Sequence, residues 1–238
     1  MKSVILLMAG IVLCYSPFLN ARTNGSYLGV SLTRPTIHIN DMTFENLPYN
    51  YLFTGRPAFT SSQDNSSQTT NWALYGGYQF NRYFSIEALY QPLGTYTRSG
   101  SNRGLVDPNL AQAAGFNAQT FLTISTTDTL ELKSYGLTAL GSFPVANYIY
   151  LLGKVGAYYW DGKLDRASLV KSATLNKKVN TTESGSGFSP IFGVGLRIDV
   201  SRSLSVRGEW AHISDIGGGL STGKSSANVS SFSALISF

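Results

Sequence analysis

The sequence is poor in the side chains on which most catalytic and metal sites depend. Its 238 residues include one cysteine and two histidines, and charged residues make up 13% of the chain, about half the share in a typical soluble domain. His38 and His212 have no cysteine partners at the spacing of a zinc site. We therefore expect neither a bound metal nor a cofactor.

Long apolar runs are scarce as well. A membrane-spanning helix needs roughly 17–25 apolar residues, and no segment beyond the N-terminal region offers them. If the chain lies in a membrane, it must cross as strands whose backbone groups pair with one another. The formal net charge of +5 is spread along the chain and no phosphate-cradling motif occurs, so we expect no nucleic-acid partner.

The N-terminal segment has the features of a secretory signal peptide. Lys2 precedes an apolar run at residues 4–13, which is followed by Pro17 and by the small residue Ala21. The run is too short to span a bilayer as a helix. We predict that residues 1–21 are removed on export and that residues 22–238 form one domain. Cleavage would also remove Cys14 and leave no thiol for a disulfide.

The most frequent pattern in the sequence is the strand-like alternation of apolar residues with small or polar ones, which keeps a single phase. Leu28, Val30 and Leu32 alternate with small or polar residues, which predicts a strand at residues 25–34. Seven further segments repeat the pattern, at residues 72–80, 84–90, 135–143, 149–159, 192–200, 204–210 and 232–238. Aromatic residues gather near the predicted strand ends, as they do at the two interfaces of a membrane barrel.

The connections between these strands alternate in length. Short turns are predicted at 81–82, 144–147 and 201–203, and long loops rich in Ser, Thr, Asn and Gly at about 35–70, 94–130, 161–187 and 214–227. Short periplasmic turns and long extracellular loops are typical of transmembrane barrels. The fold predicted is therefore all-β, an eight-stranded antiparallel up-and-down transmembrane β-barrel.

Two local features are expected within the loops. Asp107 and Pro108 have the residue types of a helix start, and Gly115 is a suitable stop, which predicts a short helix between them. The polar tract at residues 61–71 has the composition of a mobile loop tip.

The polar face of the strands separates a membrane barrel from a soluble barrel of the lipocalin kind. A water-exposed face would carry many Lys and Glu, whereas Gly, Ser, Thr and Tyr predominate here, and such side chains fit the narrow interior of eight strands. Because buried unpaired charges cost several kcal/mol each, we predict an internal ion-pair network. It consists of three acidic and three basic residues: Glu87, Lys154, Arg197, Asp199, Arg207 and Glu209.

Several of these segments resemble the OmpA-like superfamily of small eight-stranded outer-membrane barrels. They are GGYQFNRYFSIE at 76–87, GVGLRIDV at 193–200 and SVRGEW at 205–210. The closing strand resembles the signal that the barrel-assembly machinery recognises in its clients, with Phe232, Ala234, Ile236 and Phe238 in phase. The resemblance covers nearly the whole mature chain and implies a place in the outer membrane of a Gram-negative bacterium. Peptidoglycan tethering is not expected, since OmpA itself continues into a further domain and this sequence stops at the last strand.

The resemblance implies a role in outer-membrane structure, in surface interaction or, less often, in the passage of small solutes. We predict a non-enzymatic, adhesin-like protein whose partners are outer-membrane lipid, lipopolysaccharide, the barrel-assembly machinery during insertion, and host or surface ligands. Five cations of the third loop could meet lipopolysaccharide phosphates: Lys163, Arg166, Lys171, Lys177 and Lys178.

Two other functions stay open at this point. One is a narrow pore for small solutes, gated by the ion pairs of the lumen. The other, less favoured, is lipid A deacylation, because His212 and Ser214 resemble the His-x-Ser of those enzymes. A serine nucleophile also needs an oxyanion site, for which the sequence offers no candidate.

Overall fold

The computed structural model describes residues 25–38, 49–54, 58–64, 70–113, 121–172, 176–218, 220 and 223–238. The predicted signal peptide, residues 1–21, lies outside the described residues. Within the described part of the chain, no helix is long and apolar enough to cross a membrane.

Nine strands make up most of the described residues. They are β1 (Gly25–His38), β2 (Ala58–Asp64), β3 (Asn71–Asn81), β4 (Phe84–Leu105), β5 (Phe121–Ala146), β6 (Ile149–Lys171), β7 (Asn176–Asp199), β8 (Leu204–Ile216) and β9 (Ser225–Ser237). A 3-10 turn spans Asn50–Leu52, and one short helix, α1, spans Pro108–Ala113.

Eight of the strands close into a ring. The order β4-β3-β1-β9-β8-β7-β6-β5 is antiparallel throughout, and β4 also pairs with β5. The predicted eight-stranded up-and-down barrel is therefore confirmed. The ninth strand, β2, pairs with β4 from Ala58↔Arg103 to Asp64↔Thr97 and adds to the sheet without joining the ring.

The phase of the alternation sets which face meets lipid. Leu28 and Leu32 are 59% and 57% exposed on the outer face, while the alternate residues Tyr27, Ser31 and Thr33 are buried inside the ring. The apolar side chains point outward because lipid, unlike water, does not penalise them, and the small polar ones fill the lumen.

Aromatic rings occur at two levels on this outer face. Near the short turns, three rings contact one another in sequence: Tyr78, Phe80 and Phe84. Further along the strands, four rings are direct cross-strand partners: Tyr90, Tyr135, Tyr159 and Phe188. We call these four the extracellular aromatic row. The two levels have the arrangement expected of girdles around an apolar band about 25 Å tall.

Inside the ring, large aromatic side chains lie over glycines on the neighbouring strand. Gly29 is the direct register partner of Tyr75, and Gly136 is that of Tyr158. A Cβ added at either glycine would collide with the ring of its partner. Glycine on the polar face therefore makes room for aromatic rings in a narrow lumen.

The predicted loops at 94–130 and 161–187 are wrong in most of their length. β4 continues to Leu105 and β5 begins at Phe121, and β6 continues to Lys171 and β7 begins at Asn176. The 26 residues of β5 compare with about 9–11 that a tilted strand needs to cross a membrane. Strands β4 to β7 therefore extend well beyond the extracellular aromatic row.

The predicted short helix is present, whereas the predicted loop tip and the predicted end of the first strand differ from the structure. The helix is present as α1, and the Asp107 carboxylate accepts from the backbone N–H groups of Asn109 and Leu110 at 2.8 and 3.4 Å; Gly115 lies outside the described residues. The tract at 61–71 is in part strand, because it includes the end of β2 and the start of β3. β1 runs four residues past the predicted end at 34, to His38.

Candidate functional site

The middle of the lumen holds four charged side chains that the structure brings together, which we call the central charge cluster: Glu87, Lys154, Arg207 and Glu209. The Arg207 guanidinium donates to Glu87 and lies 2.9 Å from Glu209, and the Lys154 ammonium lies 2.9 Å from Glu209 and 3.5 Å from Glu87. None is more than 8% exposed. Because Glu87 lies on β4, Lys154 on β6 and the other two on β8, the cluster joins opposite walls of the barrel.

Neighbouring aromatic groups complete the cluster. The Tyr27 hydroxyl donates to Glu87 at 2.9 Å, and the Arg207 guanidinium lies over the Tyr75 ring at 4.6 Å. Two acidic and two basic groups balance in charge, and each has at least one partner of opposite sign, which is the condition for a tolerable buried ion pair. A cavity of about 30 Å³ beside the cluster has room for about one water molecule.

The remaining predicted lumen charges, Arg197 and Asp199, form a separate pair closer to the short turns. Arg197 Nε lies 3.1 Å from Asp199 Oδ1, and the Ser205 hydroxyl donates to the same carboxylate at 2.7 Å. The Arg197 guanidinium also lies over the Tyr150 ring, 4.4 Å from its centroid. The six predicted residues thus fall into a group of four and a group of two.

Beyond the central charge cluster, the lumen is filled by apolar side chains, which we call the apolar plug. Its residues are at most 8% exposed and come from β1, β4 to β9 and the turn after β8. They are Ile37, Leu93, Tyr96, Leu130, Leu132, Tyr158, Trp160, Leu164, Ile191, Ala211, Ile213, Ile216, Leu220, Ala227 and Val229. Charged and apolar layers therefore follow one another along the barrel axis.

The extended parts of β4 to β7, together with β2, form what we call the extracellular sheet. A second apolar cluster lies against it, with Leu122, Ile124 and Val170 from the strands packed on Leu52 and on Ala111 of α1. This cluster is separate from the apolar plug. The extracellular sheet therefore has a small core of its own, which explains how it stays ordered outside the membrane.

A buried ion-pair group lies on the inner side of this sheet, and sequence analysis missed it. Asp128 on β5 accepts from Arg98 on β4 at 3.0 Å and from Arg166 on β6 at 2.7 Å. Asp128 and Arg98 are 1% and 3% exposed. The hydrogen bond that Arg166 donates to the Asp128 carboxylate raises the pKa of Arg166 above its usual value. The signal that could have found this group is the inward phase of Asp128 within an alternating run from Leu122 to Leu132.

The five cations predicted to meet lipopolysaccharide phosphates are placed at different heights. Lys163 is exposed, four residues beyond the Tyr159 ring, and pairs with Asp165 at 2.9 Å. Arg166 points inward to Asp128 and is not a solvated loop cation. The other three, Lys171, Lys177 and Lys178, lie at the tip of the β6–β7 hairpin, roughly 33–40 Å along the strand from Tyr159 at about 3.3 Å per residue.

Asp165 itself is 50% exposed, and its charge is stabilised by neighbours on both strands of this hairpin. The Thr182 hydroxyl donates to it at 2.7 Å and the Lys163 ammonium at 2.9 Å. The hydrogen bond from Thr182, followed by that from Lys163, lowers the pKa of the Asp165 carboxyl. These groups form a charged outer face directly above the membrane surface.

His212 occupies a position in the aromatic belt. Its ring lies 5.1 Å from Phe192 and 6.4 Å from Trp210, and its Nδ1 lies 2.7 Å from the Asn228 side-chain oxygen on the adjacent strand. Ser214 follows on the same strand, just where the pairing with β9 shifts between Ile213 and Ile216. No hydrogen bond joins His212 to Ser214 within the described residues.

The predicted assembly signal lies on the lipid-facing side of β9. Phe232, Ile236 and Phe238 are each about 60% exposed, and the Phe238 backbone N–H donates to Ser26 on β1 at 3.0 Å. These residues therefore stand at the seam where the last strand closes on the first. Recognition by the assembly machinery stays a prediction.

A closed ring of antiparallel strands with an apolar outer face, aromatic girdles and a filled polar lumen defines a transmembrane β-barrel of the bacterial outer membrane. The chain belongs to the family of OmpA-like transmembrane domains, whose model matches residues 21–238. It is accordingly an outer-membrane protein.

Several individual proteins are similar to this chain. Outer membrane protein A of Klebsiella pneumoniae is 27% identical over 161 residues, which are 65% of this chain and 38% of that protein. Among solved structures, the attachment invasion locus protein Ail of Yersinia pestis is 14% identical, with a TM-score of 0.46 over 91% of this chain and all of Ail. The outer membrane protein AlkL is 10% identical, with a TM-score of 0.47 over 94% of this chain and 95% of AlkL.

Proposed function

We propose that this outer-membrane protein is a non-enzymatic, adhesin-like protein in which a closed barrel carries an ordered extracellular sheet for contact with surface ligands. The observation that carries this proposal is the continuation of β4 to β7 beyond the extracellular aromatic row as a hydrogen-bonded sheet with its own core. Binding sites are commonly displayed at such positions on a rigid support.

The extracellular sheet has surfaces on which a partner could dock. Residues 176–190 of β7 pair with β6, and pairing with β8 begins only at Ile191, so one edge of this stretch is unpaired among the described residues. Its side chains are mostly polar, with Lys177 and Lys178 near the tip. A partner would therefore meet exposed backbone groups and a charged tip rather than an apolar patch.

Removal of the parts of β4 to β7 that build the extracellular sheet is expected to abolish surface binding while the barrel still assembles. Residues 98–128 and 165–182 are each replaced by an Asn-Gly turn, which suits a two-residue hairpin and leaves most of the apolar plug in place. Adherence of cells that express this variant should fall by about tenfold or more, as expected when an interface is lost. Heat-modifiable gel mobility and outer-membrane fractionation should be unchanged.

A point variant gives the same test without deletion. Asp128→Ala removes the carboxylate that Arg98 and Arg166 contact, so the sheet should open to external protease and adherence should fall. Asp165→Ala removes an exposed carboxylate of the same sheet and serves as the matched control. Full adherence of both the deletion variant and Asp128→Ala would exclude the extracellular sheet as the binding element.

The barrel is expected not to conduct small solutes. The central charge cluster and the apolar plug are two consecutive layers in the lumen, and the cavity beside the cluster is only about 30 Å³. Purified protein in planar bilayers should therefore give no channel steps. Steps that change size in an Arg207→Ala variant would instead favour a pore gated by the ion pairs.

Among the five cations predicted to contact lipopolysaccharide, Lys163 has the position that best fits such a contact. It lies at the membrane surface, where phosphates of the outer leaflet are within reach of a surface lysine. The cations at the hairpin tip belong instead to the surface that meets an extracellular partner.

A further inference from the structure

The periplasmic end of the lumen contains a polar cavity of about 340 Å³, bounded by the short turns on one side and by Arg207 on the other. We call it the vestibule. Its size is at the lower end of the range of small-molecule sites, roughly 300–1,000 Å³. It lies on the opposite side of the central charge cluster from the extracellular sheet, so the proposed surface function does not use it.

The charges that line the vestibule are predominantly positive. Four arginines line it, Arg82, Arg197, Arg202 and Arg207, against one acidic residue, Asp199. Arg207 is balanced by the glutamates of the central charge cluster, and Arg197 by Asp199. Arg82 and Arg202 at the mouth make no ion pair with any described residue, which leaves an excess of two positive charges there.

Arg197 has unused hydrogen-bonding capacity. Its side chain is 12% exposed and touches Asp199 through Nε, but this contact lacks the angle of a hydrogen bond. A guanidinium carries five N–H donors in a planar fork, and those of Arg197 donate to no described residue. Of these donors, Nε is buried without a hydrogen-bond partner, so an acceptor in the vestibule beside Arg197 would satisfy a group whose burial otherwise costs free energy.

Hydroxyl and amide groups complete the lining. The vestibule is bounded by side chains that can donate to an oxyanion: Gln79, Ser85, Ser142, Asn147 and Tyr148. Guanidinium forks and hydroxyl donors together are the recognition chemistry of carboxylate and phosphate groups. An apolar solute would find few partners in such a space.

We propose that the vestibule binds a small anion whose charge lies on carboxylate or phosphate groups and that enters from the periplasm. The anion accepts from the Arg197 guanidinium and is held at the mouth by Arg82 and Arg202. Such an anion could be a soluble metabolite or the phosphate of an inner-leaflet lipid, since both present the same oxygen atoms. The central charge cluster closes the far end, so the vestibule binds without passing its ligand onward.

The test is titration of the full chain, folded in zwitterionic detergent, with citrate and with inorganic phosphate at constant ionic strength. Isothermal calorimetry should show saturable binding to the wild type. The Kd should rise by about tenfold or more in Arg202→Gln. This residue is exposed and makes no ion pair with a described residue, so its replacement should not affect folding. Arg197→Gln should weaken binding as well, and Arg103→Gln on the extracellular part of β4 should have no effect.

Two results would overturn the proposal: no saturable binding by the wild type, or equal affinity in the wild type and Arg202→Gln. Nanodiscs of two lipid compositions distinguish a soluble anion from a lipid phosphate as the ligand. If the phosphate of an anionic lipid fills the vestibule, phosphatidylglycerol should weaken citrate binding relative to phosphatidylcholine, whose phosphate is neutralised by its own choline group. Equal citrate affinity in both lipids would assign the vestibule to a soluble anion. Neither result depends on adherence or on conductance, so this proposal and the proposed function can fail separately.

Discussion

Replacement of Glu87 by alanine is expected to lower the free energy of unfolding of the barrel by about 3–5 kcal/mol. Glu87 is fully buried, accepts from Tyr27 and contacts both Arg207 and Lys154. Without its carboxylate, two buried cations share Glu209 as their remaining acidic partner. The free energy is measured by urea unfolding in lipid vesicles, followed by heat-modifiable gel mobility and tryptophan fluorescence.

The matched control is an exposed ion pair of the same chain. Glu131 and Lys133 lie 3.2 Å apart, and their side chains are 52% and 48% exposed. Glu131→Ala should cost no more than about 1 kcal/mol, because water screens such pairs. Glu87→Gln keeps the volume of the side chain and removes its charge, so it should lose most of the same free energy as Glu87→Ala. A cost for Glu87→Ala no larger than that for Glu131→Ala would contradict a stabilising role of the central charge cluster.

The lumen illustrates what alternation can and cannot predict. The phase of each strand places all six charged residues on the inner face, and the equal number of each sign indicates that they can pair. Which residues meet depends on the register around the ring, and Glu87 and Arg207 are 120 positions apart. Register also separates Arg197 and Asp199 from the other four, a division that no local pattern indicates.

The length of the strands was the largest error of sequence analysis, and its cause is physical. Within the membrane the outward positions must be apolar, whereas beyond the extracellular aromatic row they face water. Ser125, Thr127 and Thr129 are such outward positions of β5, and their composition is that of a loop. The inward positions of the same stretch, Leu122 and Ile124, are still apolar. A search for strands with apolar residues on the inner face would therefore have predicted the extracellular sheet.

Most of the apolar plug follows the inward phase of its strands, but the contribution of β4 does not. Leu93 keeps the inward phase of Glu87, whereas Tyr96 reaches the lumen only because β4 shifts register between Pro92 and Gly94. Gly94 has a positive φ of 104°, a conformation that glycine adopts readily. A one-residue shift exchanges the two faces of a strand, and the sequence offers no sign of the shift beyond that glycine and the preceding Pro92.

Replacement of Gly156 by alanine is expected to prevent assembly of the barrel or to cost more than about 4 kcal/mol of stability. Gly156 faces the lumen on β6, opposite Thr138 of β5. An added Cβ would lie 2.7 Å from the Thr138 Cα and closer still to the Leu137 carbonyl oxygen. Since both atoms belong to the backbone, no side-chain rotation relieves the contact. Heat-modifiable mobility of the refolded protein reports assembly.

The same strand provides the control for this prediction. Gly153 lies on the lipid-facing side, with no atom within 4 Å of an added Cβ, so Gly153→Ala should stay within about 0.5 kcal/mol of the wild type. Thr138→Ala should not rescue Gly156→Ala, because the clash is with backbone. At Gly29 the added Cβ would instead meet the side-chain ring of Tyr75. If Gly29→Ala prevents assembly, the second substitution Tyr75→Ala should therefore restore it. Equal assembly of Gly156→Ala and Gly153→Ala would contradict this prediction. It would mean that β5 and β6 can move apart beside Gly156, so that the lumen is not tightly closed there. The expectation that the barrel does not conduct would then lose part of its support.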